Sequence, residues 1–204
     1  MLPRPSTPHN PCLQSPGTPR WCKVPSTLTK SVNGIKMCLP ARVATPGDVH
    51  TTLKLDLDLN FEPDTWQAHL IHRILQGYNS VCVAATGLGK SLIFEGTAKL
   101  AGPNQAVIVI CPLKALERDQ VRHASAKGLD AIVVNEDTPK SPKLWESICR
   151  TKKLIYVSPE MALLDGFRNQ VWKNPRFWSR LAAIFVDEAH VINEWGEEEF
   201  RPEY

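Results

Sequence analysis

The stretch "VCVAATGLGKS" (residues 81–91) runs from an apolar, β-branched segment into two closely spaced glycines and ends on a lysine and a serine. Such a break is expected where the backbone must come close to a ligand, and an anion is the first candidate. Ala84–Ser91 fit the phosphate-loop pattern G-x-x-x-x-G-K-[ST], with alanine in place of the first glycine. In that reading Gly87 and Gly89 let the N–H groups around Thr86 and Leu88 turn toward phosphate oxygens. Lys90 reaches the terminal phosphates of a nucleotide, and the Ser91 hydroxyl is placed to ligate Mg²⁺. A helix starting at Ser91 would aim its N-terminus at the same anion. The alternative is a glycine-rich strand-to-helix turn with a solvated lysine.

A second constellation lies far along the chain, where "IFVDEAH" ends an apolar run in two adjacent carboxylates, Asp187 and Glu188. Delivered beside the phosphate loop at the C-terminal end of a strand, Asp187 would hold Mg²⁺ and Glu188 would accept a proton from the attacking water. Taken alone, the pair reads as a surface acidic strand end. Joined to a phosphate loop, it reads as the other half of a hydrolytic site.

Positioning these groups requires an alternating set of elements. Near-continuous apolar runs at 80–85, 106–111, 131–134, 154–158 and 181–187 predict strands buried on both faces. Between them lie helical stretches at 91–101, 114–127 and 142–150, the last opened by Ser141 as cap and Pro142 at its first position. "PDTWQAHLIHRILQG" predicts another helix, capped at Asp64 with Gln67 at its third position and stopped by Gly77. Leu53, Leu55, Leu57 and Leu59 recur at period two, which predicts a half-buried strand or an extended lead-in. The sum is α/β, a parallel sheet flanked by helices.

Residues 1–47 hold six of the 24 Lys and Arg and nine of the 17 prolines, and no Asp or Glu. We read 1–50 as a disordered basic tail rich in Pro, Ser and Thr, with the lobe occupying 51–204. A mitochondrial transit peptide is a minor alternative for the tail, opposed by its prolines. No run reaches the roughly 18–20 apolar residues that cross a bilayer, so no membrane partner is expected. The six cysteines show neither metal-ligand spacing nor a disulfide pattern, and Cys82 and Cys111 read as small core residues.

"ATGLGKS" and "DEAH" resemble motifs I and II of superfamily two helicases. "DEAHVINEWGEEEFRPEY" resembles the DEAH box and aromatic-rich loop of RecQ-family DNA helicases through Trp195, Gly196, Phe200, Arg201, Pro202 and Tyr204. "FEPDTWQ" resembles that family's motif 0, "CPLKALERDQV" its motif Ia, and "YVSPEMAL" a later DNA-contacting motif. Two departures stand out. The family's Arg beside Pro63 is absent, and Glu197–Glu199 replace a shorter His and Asp pair.

The resemblance implies Gln67 on adenine, Thr86–Ser91 on the phosphates, and Ser91 and Asp187 on Mg²⁺. It implies His190 coupling the ATP site to DNA, with Trp195, Phe200 and Arg201 sensing single-stranded DNA. It further implies ATP-driven 3′ to 5′ movement on single-stranded or partly duplex DNA and a nuclear location. The helicases also use a second RecA-like lobe and a further strand after the aromatic-rich loop, so 51–204 is expected to be a C-terminally incomplete first lobe, with a second RecA-like lobe in trans as a candidate partner. Two other readings stay open: a nucleotide and nucleic-acid binding module without turnover, and a lobe of an RNA helicase.

Overall fold

Four β-strands, β1 (Ala106–Ile110), β2 (Ala131–Val134), β3 (Leu154–Val157) and β4 (Leu181–Val186), form one parallel sheet in the order β2-β3-β1-β4. The structure, a computed structural model, describes residues 39–112 and 114–189. Register runs without a break from Val107 opposite Leu154 to Ile110 opposite Val157, while the β1–β4 pairing shifts once, between Ala106 and Val107. Parallel strands need crossovers. Helices α3 (Ser91–Leu100), α4 (Lys114–Ala126), α5 (Pro142–Arg150), α6 (Pro159–Leu163), α7 (Asp165–Phe167) and α8 (Pro175–Trp178) lie between or before them, with a π-helical turn at Arg168–Trp172.

The near-continuous apolar runs follow from burial on both faces. Val107 and Val109 of β1 pack with Leu154 and Tyr156 against Leu53, Ile71 and Leu92 on one side. Ile108, between them, joins Ile155, Val157, Ile148, Phe167 and Phe177 on the other. Each fully buried Val, Ile or Leu contributes about 1.5–3 kcal/mol relative to exposure, so the sheet core dominates the stabilisation. At the N-terminal pole the guanidinium of Arg180 donates to the carbonyls of Asn104 (2.8 Å), Ile148 (3.1 Å) and Lys152 (3.1 Å), pinning three loops at once.

Several local signals act as the sequence suggests. Ser141 Oγ accepts from Leu144 N at 3.2 Å and Pro142 opens α5. Helix α2 (Thr65–Leu75) starts at Asp64, whose N–H donates to Gln67 Oε1 at 2.8 Å, and Gly77 beyond its end takes a φ of +85°.

Four expectations are corrected. The leucines at 53–59 do not form a strand: Leu53 and Leu55 belong to α1 (Pro46–Asp56), Leu57 is its C-cap and Leu59 follows it. Val49, Leu53 and Leu57, four apart, are buried together, whereas Leu55 is exposed, so the period-two pattern was the coarser half of a helical one. Its start is fixed upstream by a capping box between Thr45 and Asp48 and by Pro46. Consequently the boundary read at residue 50 falls inside α1, and Val43 and Val49 are core residues. The run 80–85 is not a strand either: it pairs with no neighbour among the described residues, and Val81 and Val83 are 90% and 84% exposed. A strand is made by its partner's hydrogen bonds, whatever its propensity. For the same reason Cys82 is exposed, while Cys111, at the end of β1, is buried as expected.

Candidate nucleotide site

The glycine loop is held from its helical side. Helix α3 begins at Ser91 and is almost wholly buried through Leu100. A Cβ on Gly96 would meet Leu53 Cδ2 at 2.6 Å and Ile71 Cδ1 at 2.8 Å, so α3 packs at close range on α1 and α2. One turn after Ser91, the buried carboxylate of Glu95 forms an ion pair with Lys127, just past the end of α4. A buried pair of this kind adds little net stability but penalises any displacement that would separate the charges.

Gln67 fastens the loop from below. Its Oε1 is taken by Asp64 N, and its Nε2 donates to the carbonyls of Leu88 (3.2 Å) and Gly89 (3.1 Å). The carboxamide is buried, so in this conformation both ends serve α2 and the loop. Gly89 has a φ of +71°, and a Cβ there would lie 2.7 Å from Gln67 Nε2. Only glycine fits both constraints. Gly87 has a φ of +82° as well. Thr86 and Leu88 are exposed on the loop.

Lys90 turns back into the loop. Its Nζ donates to the carbonyls of Ala84 (3.2 Å) and Ala85 (3.5 Å) and stands 4.0 Å from Glu188 Oε1. Parallel β1 and β4 explain this meeting: β4 ends at Val186, and Asp187 N donates to Ile110 O at 2.9 Å, fixing the two carboxylates at the C-terminal end of the sheet. Glu188 takes a φ of +50°, a sparsely populated conformation for a residue with a Cβ, and its N–H donates to Asp187 Oδ1 at 3.0 Å.

Asp187 is buried, and burial pushes its carboxyl above the ordinary aspartate range. The neighbouring Glu188 charge adds to that rise, while the Glu188 N–H, a hydrogen bond from the Gln120 side chain and the Lys90 ammonium oppose it. Gln120, on α4, is a site residue that sequence reasoning passed over. It sits within the quoted "CPLKALERDQV" stretch, but nothing local announces a contact to a carboxylate so distant in the chain.

The structure thus gathers Gln67, the loop Thr86–Ser91, Asp187 and Glu188 in one place. His190, Trp195, Phe200 and Arg201 lie outside the described residues. Among the described residues no cluster of three His, Cys, Asp or Glu could hold a metal by itself. The donors present are hydroxyl and carboxylate oxygens, the set that suits a hard cation such as Mg²⁺, which commonly takes one or two protein oxygens and completes its shell with substrate phosphates and water. Among the same residues, no helix is long and apolar enough to cross a membrane.

The DEAD/DEAH box helicase family matches residues 64–204. The chain is 34% identical over 141 residues to the ATP-dependent DNA helicase RecQ of Haemophilus influenzae, covering 68% of this chain and 22% of that protein. It is 32% identical over 152 residues to the ATP-dependent DNA helicase Q-like 2 of Arabidopsis thaliana, covering 68% and 20%. To the RecQ-like DNA helicase blm-1 of Caenorhabditis elegans it is 30% identical over 143 residues, covering 68% and 14%. The chain therefore spans less than a quarter of the length of each of these relatives. Among solved structures, the DUF1998 helicase MrfA bound to DNA and AMPPNP matches with a TM-score of 0.56 over 78% of this chain and 22% of its own, at 19% identity, which shows the shared helicase-lobe fold. Matched from the N-cap of α2, through the glycine loop and the paired carboxylates, to Tyr204, the chain belongs to the DEAD/DEAH box helicase family.

Proposed function

We propose that this chain is the ATP-binding lobe of a RecQ-like DNA helicase, binding Mg·ATP and single-stranded or partly duplex DNA and working in the 3′ to 5′ direction. The observation that carries the reading is the approach of Lys90 Nζ to 4.0 Å from Glu188 Oε1 at the open end of the sheet, where phosphate and attacking water would have to meet. The similarity to RecQ proteins of bacteria, a plant and a nematode supports DNA as the nucleic acid.

In this reading Lys90 exchanges the carbonyls of Ala84 and Ala85 for the terminal phosphates. The N–H groups of the Thr86–Gly89 turn cradle the same oxygens at the N-terminus of α3. Ser91 and Asp187 would hold Mg²⁺, which when bound neutralises charge developing on the phosphates. Glu188 accepts the proton of the attacking water, its backbone N–H held by Asp187, whose carboxylate also takes the Gln120 hydrogen bond. Gln67 sets the height of the loop and would reach adenine only by releasing Leu88 and Gly89. His190, Trp195, Phe200 and Arg201 would relay DNA binding to the site. Unwinding would call on a second RecA-like lobe, in trans or elsewhere in a longer polypeptide, and a nuclear location goes with the eukaryotic relatives.

The test is ATP hydrolysis by the purified chain with and without single-stranded DNA, beside nucleotide binding. Lys90→Ala should lose at least tenfold in nucleotide affinity. DNA-stimulated turnover that vanishes in Glu188→Gln is the expected result. Nucleotide binding without turnover would instead assign a binding module, and stimulation by single-stranded RNA but not DNA would assign an RNA-directed lobe.

A further inference from the structure

On the face of the sheet opposite α3, a cavity of about 280 Å³ opens between α5, the π-helical turn and α8. The site described above makes no use of it. Its lining residues include Trp145, Glu146, Arg150, Gln170, Asn174 and Arg176. The floor is ordered: Asn174 Nδ2 donates to Cys149 Sγ and to Gln170 O, both at 3.4 Å, and Trp145 packs edge-on against buried Phe167 with ring centroids 6.1 Å apart. Arg150 is engaged with Glu146 at 3.2 Å. Arg176 has no carboxylate within ion-pair distance among the described residues; at the cavity floor burial pushes the Cys149 thiol up, opposed by the charges of Arg180 and then Arg176.

The surroundings are cationic. Residues 166–180 contain Arg168, Lys173, Arg176 and Arg180 and no Asp or Glu. An indole, a guanidinium outside any ion pair among the described residues and the Gln170 carboxamide match the three parts of a nucleotide: a base with a π-face, a phosphate, and a base edge that exchanges hydrogen bonds. The volume is just below the 300–1,000 Å³ typical of pockets that hold a whole small ligand. Of the cations at 166–180, Arg168, Lys173 and Arg176 are exposed, which suits a polyanion that gains affinity from each further phosphate.

We propose that this cavity takes one nucleotide of a single-stranded nucleic acid, its phosphate on Arg176 and its base against Trp145. The proposal rests on the nucleic-acid reading given above but concerns a contact remote from the ATP loop. It gives the lobe a second hold on the strand, on the far side of the sheet from α1–α3.

The test uses the full chain and a fluorescein-labelled fifteen-nucleotide oligo(dT), with affinity read by anisotropy across a salt series and no ATP present. Arg176→Glu should weaken binding about tenfold and lower the slope of log affinity against log salt by about 0.7, the value for one phosphate contact on a single strand. Lys54→Glu, the same charge change on α1, should leave both nearly unchanged. Binding of a fluorescent ATP analogue should be equal in wild type and Arg176→Glu, which excludes unfolding as the cause. Ultraviolet crosslinking of an iodouracil-substituted strand should label the peptide that carries Trp145. Unchanged affinity and slope in Arg176→Glu, with the wild type binding, would overturn this contact and leave the ATP and DNA reading intact. Failure of the wild-type chain to bind the oligonucleotide would overturn both, and equal losses in the two charge reversals would reduce the contact to net charge.

Discussion

The two flanks of the glycine loop are built to opposite standards. On the helical flank, α3 is buried almost throughout, pressed against α1 and α2 at Gly96, tied by Glu95 to Lys127, and followed back to the loop by the two bonds from Gln67. On the other flank, residues 81–85 have no strand partner among the described residues, and two valines face solvent. The catalytic candidates are therefore located by helix packing and by the end of β4, not by the apolar run that announces the loop in the sequence. A phosphate-binding turn needs one rigid anchor to fix its N–H groups, and here α3 supplies it.

The largest effect should come from attacking that anchor. Gly96→Val forces two methyl groups into Leu53 and Ile71, and overpacking of this kind costs about 1–3 kcal/mol. At roughly 2–4 °C per kcal/mol for a domain of this size, the loss is readable in a thermal melt, and nucleotide affinity should fall with it. A melt indistinguishable from wild type would mean that α3 is not the tight side.

A smaller change of opposite sign is expected at the carboxylates. Burial pushes the Asp187 carboxyl up, so its folded pKa lies above the unfolded one and its ionised form is disfavoured in the fold. Stability is lost wherever the unfolded chain is ionised, and the loss fades as pH falls through the folded value toward the unfolded value. Asp187→Asn should raise the Tm of the nucleotide-free protein by a few degrees at pH 7 and abolish ATP hydrolysis, with the gain shrinking as the pH approaches 4. A gain that persists unchanged at pH 4 would refute the electrostatic cause.

The smallest effect belongs to the exposed flank. Val83→Ser should shift stability by no more than about 0.5 kcal/mol, as for other exposed positions. A loss above about 1 kcal/mol in urea unfolding would show that the valine is covered in solution and that the contrast between the two flanks is overstated.

Much of this architecture was legible residue by residue. Val107–Ile110 and Leu154–Val157 read as strands because burial on both faces leaves no polar position to blur the pattern, the edge strand Ala131–Val134 because its β-branched run is apolar throughout, and Ser141–Pro142 marks the start of α5 by local hydrogen bonding alone. The run at 80–85 carried the same apolar signal and misled, since propensity says nothing about whether a neighbouring strand is there to pair. The leucines of α1 satisfied two periods at once, and the deciding signals, Thr45, Pro46 and Asp48, sat in a stretch whose composition spoke for a tail. Within the site, the loop residues and the two carboxylates were legible from spacing. The double engagement of Gln67, the Gln120 bond to Asp187 and the cavity beside Arg176 were not, because each depends on which distant segments the sheet brings together.

The outer edge of β4 also bears on how the protein behaves in a tube. Ile184 and Val186 are about half exposed on a strand that has no partner on that side among the described residues, and Val81 and Val83 stand in water nearby in sequence to the loop β4 serves. An unprotected parallel edge with apolar flanks is a template for cross-strand association between molecules, so solubility of the isolated chain should fall steeply with concentration and recover when charged residues are placed along that edge.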